Sequence, residues 1–512
     1  PELALGGLVG TLDDTGEAIT IQSCTNHGNI KVYSSTPKNI YLGGFLGRLY
    51  CGQFLVGVAD NPEILSHNYG DILYEANNTN TSVYAGGDIG VISHNLSGNE
   101  THTTLACRLA NFTNHGDITI KEGVTITGSL YLGGVFGYHS GSATGGFTNC
   151  ENNGDITIDA DMADVNVGYF RIGGIGSWSQ CAADNFVNNG DMTISSRLNN
   201  YDNQAHCLCI GGIVGYKTVC GVTTSKNTGD ITFSGSIDAN KVGDVADVAV
   251  GDVRLNIGGC FGYASYFGSN HINEGNIEVS GANAGTYRIG GLGGHITGKL
   301  TTGSNSGNVT FKSTASTSDI LEIGGLAGYM VGGSDFTNTG NITLEAGSTV
   351  GAALYVGGIA GYNNTNAMDQ SSNSGEIKVS GTSVGRACVA GIVGTPWNAA
   401  VTNATNTGAV TVNGTITGGA GVGGISGYVQ DDKSGANKKL VNGAPISVSG
   451  TSKNAIWVGG VIGNSNKSNG QTTFENKATG IVTVNLSQDS TGDIYVGGVA
   501  GLIQDSSNKI YN

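Results

Sequence analysis

The chain is poor in charge, in proline and in the patterns that mark a helix or a membrane span. Only 12% of its 512 residues are charged, and only 5 are Pro. No run approaches the length of apolar chain that a membrane helix needs. Lys and Arg number 23 against 39 Asp and Glu, a net charge of -16. That balance opposes nucleic acid, which is bound through basic side chains, and anionic membrane surfaces as well. Low charge does not imply disorder here, because Val, Ile and Leu recur in regular columns. Gly is abundant at 88 residues, without the strict three-residue period of collagen.

What is present is a two-part phrase. One half reads Tyr131-Leu132-Gly133-Gly134-Val135-Phe136-Gly137-Tyr138, the other Asn152-Asn153-Gly154-Asp155-Ile156-Thr157-Ile158. The Gly pair or its variant starts at Gly6, Gly43, Gly86, Gly133, Gly173, Gly211, Gly258, Gly290, Gly324, Gly357, Ala390, Gly423, Gly459 and Gly497. Self-similarity at such a period marks repeats that bury their apolar faces only against their neighbours. The residue before each pair is apolar throughout. The residue after it is apolar except at Asp88. These columns lie three apart, and strict strand alternation would set them on opposite faces. The Gly pair is therefore read as a bend or bulge that returns the chain to the core.

In the second half, Asn68, Asn114, Asn152, Asn188, Asn227, Asn273, Asn305, Asn338, Asn373 and Asn406 open Asn-x-Gly phrases, and Asn26 opens a further copy. Asn and Gly are expected to supply a turn with positive φ, and the β-branched stretch that follows a strand. Stacked Asn amides can hydrogen-bond along the axis. No helical period appears. The sequence predicts an all-β fold, a parallel β-solenoid (β-helix) of about fourteen rungs. It is read as one continuous unit over 1–512, right-handed as crossovers between parallel strands usually are. Insertions are expected near 51–65, 91–110 and 234–253, where loops on a rigid scaffold would carry specificity.

Phrases such as Gly6-Gly7-Leu8-Val9-Gly10 and Gly324-Gly325-Leu326-Ala327-Gly328 resemble the GLUG-type repeats of bacterial surface proteins. The resemblance covers nearly the whole chain. It implies an extracellular stalk or display module, as in IgA-specific metallopeptidases and large adhesin-like proteins. Metallopeptidase activity does not carry over, because His-Glu-x-x-His is absent. The Asn/Thr/Gly-rich style is similar to exported proteins of Bacteroidota. The chain opens at Pro1 inside a Gly-pair phrase and stops at Asn512, with no capping pattern at either end. A segment of a longer polypeptide, or ends covered by partner domains, is the expectation.

Candidate sites follow from columns and from departures from them. Asp71, Asp117, Asp155, Asp191 and Asp230 form an acidic column that Ca2+ would suit. Asn29, Asn276, Asn308 and Asn341 replace it elsewhere, which favours acceptors for N–H groups of their own turns. Tyr41, Tyr84 and Tyr131 share a column with Arg171, Arg288 and Glu322. A column that tolerates charge is expected to face solvent, its rings stacking on a glycan or on one another. Asp88 lies beside an insertion, where a β-helical lyase or hydrolase would place an acid; local displacement of that rung is the plainer reading. Cys181 and Cys220 stand at equivalent places on consecutive repeats and could bridge. His27 and His115 share a turn position on non-adjacent repeats and read as solvated.

The favoured function is a non-catalytic extracellular display module, structural or adhesive, with no resident cofactor. Its partners would be glycans, a cell-surface protein or other domains of the same polypeptide. The rivals are a glycan-binding solenoid, a polysaccharide lyase or hydrolase, and a subunit of a larger surface assembly.

Overall fold

The computed structural model describes residues 2–13, 19–33, 39–50, 54–56, 65–76, 82–93, 107–140, 146–165, 168–200, 208–237, 254–266, 268–281, 285–312, 316–317, 319–430, 438–466, 471–504 and 509–511. The described residues are all-β, without a helix. The chain divides into two compact units, Pro1–Gly275 and Asn276–Asn512, each built as a parallel β-solenoid.

In the first unit the Gly-pair strands Leu3–Gly6, Ile40–Gly43, Val83–Gly86, Leu130–Gly133, Phe170–Gly173, Leu208–Gly211 and Arg254–Gly258 pair in parallel and in sequence order. In the second, Thr286–Gly290, Ile320–Gly324, Ala353–Gly357, Arg386–Ala390, Ala420–Gly423, Ile456–Gly459 and Ile494–Gly497 do the same. Like residues face like residues: Leu132 pairs with Ile172, and Gly133 with Gly173.

One repeat shows the path. Leu130–Gly133 leads into a bend at Gly134 and Val135, and Phe136–Ser140 leaves it. Gly146–Asn152 and then Ile156–Ile158 complete the rung. Leu132, Val135, Phe136, Phe147, Cys150 and Ile158 are all fully buried. The Gly pair is thus the bend the sequence calls for, and columns three residues apart share one interior. Phe136 meets Phe147 edge-on at 5.1 Å. Gly is required at the bend by crowding. A Cβ on Gly134 would collide with the Gly174 carbonyl of the next rung and with the side-chain amide of Asn152. The two halves of the phrase therefore interlock.

The turn chemistry differs from expectation. The glycines of Asn-x-Gly do not take positive φ; a Cβ on Gly154 would instead collide with the Gly116 carbonyl. Close stacking demands Gly there. Positive φ falls three residues before the ladder Asn, at Asn111 (59°), Asn149 (52°), Asn185 (54°) and their equivalents. The pairing skips that residue: Ala110 matches Thr148, and next Phe112 matches Cys150. Every such rung carries the same bulge, so successive rungs stay in register.

The insertion bounds are also corrected. Phe54–Val56 pairs with Ile19–Ile21 and with Cys107–Leu109, so strands run within 51–65 and 91–110. Residues 51–53, 57–64, 94–106 and 238–253 lie outside the described residues.

Candidate functional site

The Asn column is a continuous buried amide ladder in each unit. Asn68 donates from Nδ2 to Asn114 Oδ1 at 2.8 Å, Asn114 to Asn152 at 2.8 Å, and Asn152 to Asn188 at 2.8 Å. In the second unit Asn338 donates to Asn373 at 2.8 Å, and Asn442 to Asn476 at 2.9 Å. The other Nδ2 proton goes to the carbonyl two residues on, as from Asn114 to Gly116 at 2.8 Å. Asn114 Oδ1 also accepts from the Gly116 N–H at 3.3 Å. A buried amide so satisfied costs nothing in lost hydration and ties each rung to the next.

The acidic column lies outside this ladder. Asp71, Asp117, Asp155, Asp191 and Asp230 are exposed. Asp71 Oδ1 accepts from Asp117 N at 3.1 Å, Asp117 from Asp155 N at 2.8 Å, and Asp155 from Asp191 N at 2.9 Å. Asp71, Asp117, Asp155 and Asp191 thus each cap a backbone donor of the next rung.

The Tyr column is not a solvent-facing row, which corrects the expectation from charge tolerance. Tyr41 and Tyr131 are buried and Tyr84 is half-buried. Tyr84 stacks on Tyr41 at 5.2 Å and on Tyr131 at 4.9 Å. Tyr138, from the other arm of the bend, meets Tyr131 edge-on at 5.1 Å. Burial raises the phenol pKa values of all three stacked rings. The column's charges are buried too. Arg171 lies over Tyr169, Trp178 and Tyr216 at 4.1, 4.2 and 3.8 Å. Arg288 donates from Nε to Glu322 at 2.6 Å and lies over Tyr329 at 4.5 Å.

Asp88 is neither displaced nor at a groove. Its N–H donates to Val135 O at 2.9 Å, and its carbonyl accepts from Phe45 N at 2.9 Å, so its rung is in register. The side chain is fully buried, and neither carboxyl oxygen has a hydrogen-bonding partner among the described residues. Burial pushes its pKa well above the ordinary carboxylate range. An acid sealed in the core has no access to a polymer in solvent.

A second buried group escaped the sequence reading. Lys217 is fully buried, and its Nζ donates to Ser179 Oγ at 3.0 Å and to the Cys181 carbonyl. Burial lowers its pKa. The signal was available, because Lys217 aligns with Ser179 and Ala264, both small. Cys181 and Cys220 stand as free thiols. The His residues also gather more than their spacing suggested. Tyr69 occupies the rung between His27 and His115, stacking on them at 4.9 and 4.5 Å.

Among the described residues no three His, Cys, Asp or Glu side chains converge as a metal-binding group. No protein-family model matches the chain, and no curated protein or solved structure matches it at a significant level.

Proposed function

We propose that the chain is a non-catalytic display module of a bacterial cell surface, extracellular and structural or adhesive in role. One observation carries this reading: the repeated polar and aromatic side chains are spent on rung-to-rung ladders. The Asn amides bond to one another, the Asp carboxylates cap neighbouring rungs, and the Tyr rings stack on themselves. Such a module grows by copying repeats. The Gly-Gly-x-x-Gly phrases add their resemblance to GLUG-type surface repeats.

Two measurements test it. Removing residues 324–389, two whole repeats, restores the phrase at Ile323–Ala390. A shorter, fully β-rich chain with a cooperative melt is expected; global unfolding counts against modular stacking. Beads coated with the full chain are then offered to host-cell and bacterial surfaces, and in parallel the soluble chain to a polysaccharide panel. Retention of beads without new reducing ends or unsaturated sugars supports display. Polysaccharide turnover overturns it.

A further inference from the structure

The exposed turns of the first unit concentrate rings where other repeats carry short polar side chains. The residue after the ladder Asn is His27, Tyr69, His115, Asn153 and Asn189 in successive repeats. The residue before it is Thr25, His67, Thr113 and Glu151. In-register stacking sets Tyr69 between two imidazoles, 7° from the plane of His27 and 4° from that of His115. The stack fixes the His115 ring. His67 approaches it across the rung, its Nδ1 3.3 Å from His115 Nε2, with ring centroids 5.5 Å apart.

We propose that His67 and His115 form a zinc-binding site on this face, with water completing the coordination shell. Zinc takes imidazole nitrogens at about 2.0–2.1 Å in a tetrahedron, which sets two ligand nitrogens about 3.3–3.4 Å apart. The observed separation of 3.3 Å is that edge. Neutral imidazoles can share one N–H···N bond at this distance. When zinc replaces the shared proton, that proton moves to the ring's other nitrogen and both lone pairs turn to the metal. The two nitrogens lie close to the line joining the ring centroids, so each ring pivots to aim its lone pair at the metal. The stack with Tyr69 and His27 keeps His115 near that place and limits the freedom lost on binding.

The surroundings agree. Glu151, on the following rung, acts on His115 electrostatically, and its Oε1 is held by Asn189 Nδ2 at 3.0 Å. A fixed carboxylate beside the pair favours a cation. Both His side chains are half-buried, open enough to admit an ion from solvent. The sequence hid the pair because 48 residues separate the two.

The test is zinc titration of the full chain near neutral pH by calorimetry and by equilibrium dialysis. The parent is compared with His67→Ala, His115→Ala, His115→Gln and His27→Ala, each matched to the parent by circular dichroism. The two alanine variants at the pair and His115→Gln are expected to lose one equivalent of bound zinc. His27→Ala is expected to keep that equivalent with weaker affinity. Equal stoichiometry in the parent and the pair variants overturns the site. So does a parent that binds no zinc, or an equivalent lost in full from His27→Ala.

Discussion

The exposed column beside the Asn turn is acidic from Asp71 to Asp230 in the first unit and opens with the amides Asn276, Asn308 and Asn341 in the second, yet the backbone uses acid and amide alike. Asp155 accepts from Asp191 N at 2.9 Å. Asn308 accepts from Asn341 N at 3.0 Å, and Asn341 from Glu376 N at 2.9 Å. Where this place carries an oxygen it caps the next rung without needing a charge, and the fold also accepts Ala409 and Pro445 there, which offer no side-chain oxygen. The interiors differ in the same sense. After the Gly pair the second unit places Leu292, Leu326, Ile359, Ile392, Ile425 and Val461, all buried. The first places Phe45, Val135, Ile175, Ile213 and Cys260, and also the buried acid Asp88. Ladder partners are 36 to 46 residues apart in the first unit and 33 to 36 in the second. The extra length of the first unit never enters its ladder.

The amide ladder is what the units share, and breaking it has the largest expected effect. Asn114→Leu and Asn338→Leu each strand a donor on the preceding Asn and an acceptor on the following one. Each is expected to cost about 3 kcal/mol, measured by denaturant unfolding. A unit that tolerates the change would show that its ladder is dispensable. Gly134→Ala and Gly325→Ala come next, at about 1–3 kcal/mol from overpacking, because both glycines face a carbonyl and an Asn amide of the stack.

Asp88→Val, which gives the first unit a residue of the second unit's type, is expected to stabilise it by about 1–3 kcal/mol near neutral pH. The sign follows from linkage. A carboxyl whose pKa is raised on folding contributes fully below its unfolded value of about 3.9. That contribution is lost as pH rises toward the raised folded value, by up to about 1.4 kcal/mol per pH unit. The parent's stability should fall over that window, and the variant should lack this slope. The smallest effect is expected for Asp117→Asn combined with Asp155→Asn. Its melting temperature should match the parent's at high salt and rise slightly at low salt, where like charges are less screened. A large loss would mean that the carboxylates do more than accept N–H bonds.

Much of this fold is legible in the sequence. Apolar columns on either side of the Gly pair require one interior, and the Asn column requires an axial ladder. Asn442 and Asn476, poor matches to the phrase, still extend it. Other features depend on contacts that periodicity does not carry. The Tyr41 column is buried because the second arm of the bend folds close against the first: a Cβ on Gly137 would lie 2.8 Å from Ala85 O. Rings from both arms then meet beside it. Charge at Arg171 suggested solvent, but aromatic faces can hold a guanidinium out of water. The left-handed residue at Asn149 was misplaced because the nearby Asn-x-Gly offered the more familiar turn. The His67 and His115 pair becomes visible only when two strands are aligned residue by residue.

Within each unit the ladder bonds run one way, each amide giving one hydrogen to the later repeat and accepting one from the earlier. The row is a one-way file of dipoles, each reinforcing the next. A cut anywhere along it leaves an orphan donor on one side and an orphan acceptor on the other. Only a segment entering with the same polarity can heal that cut, so such a file can be lengthened or spliced head to tail but never joined to a reversed copy of itself.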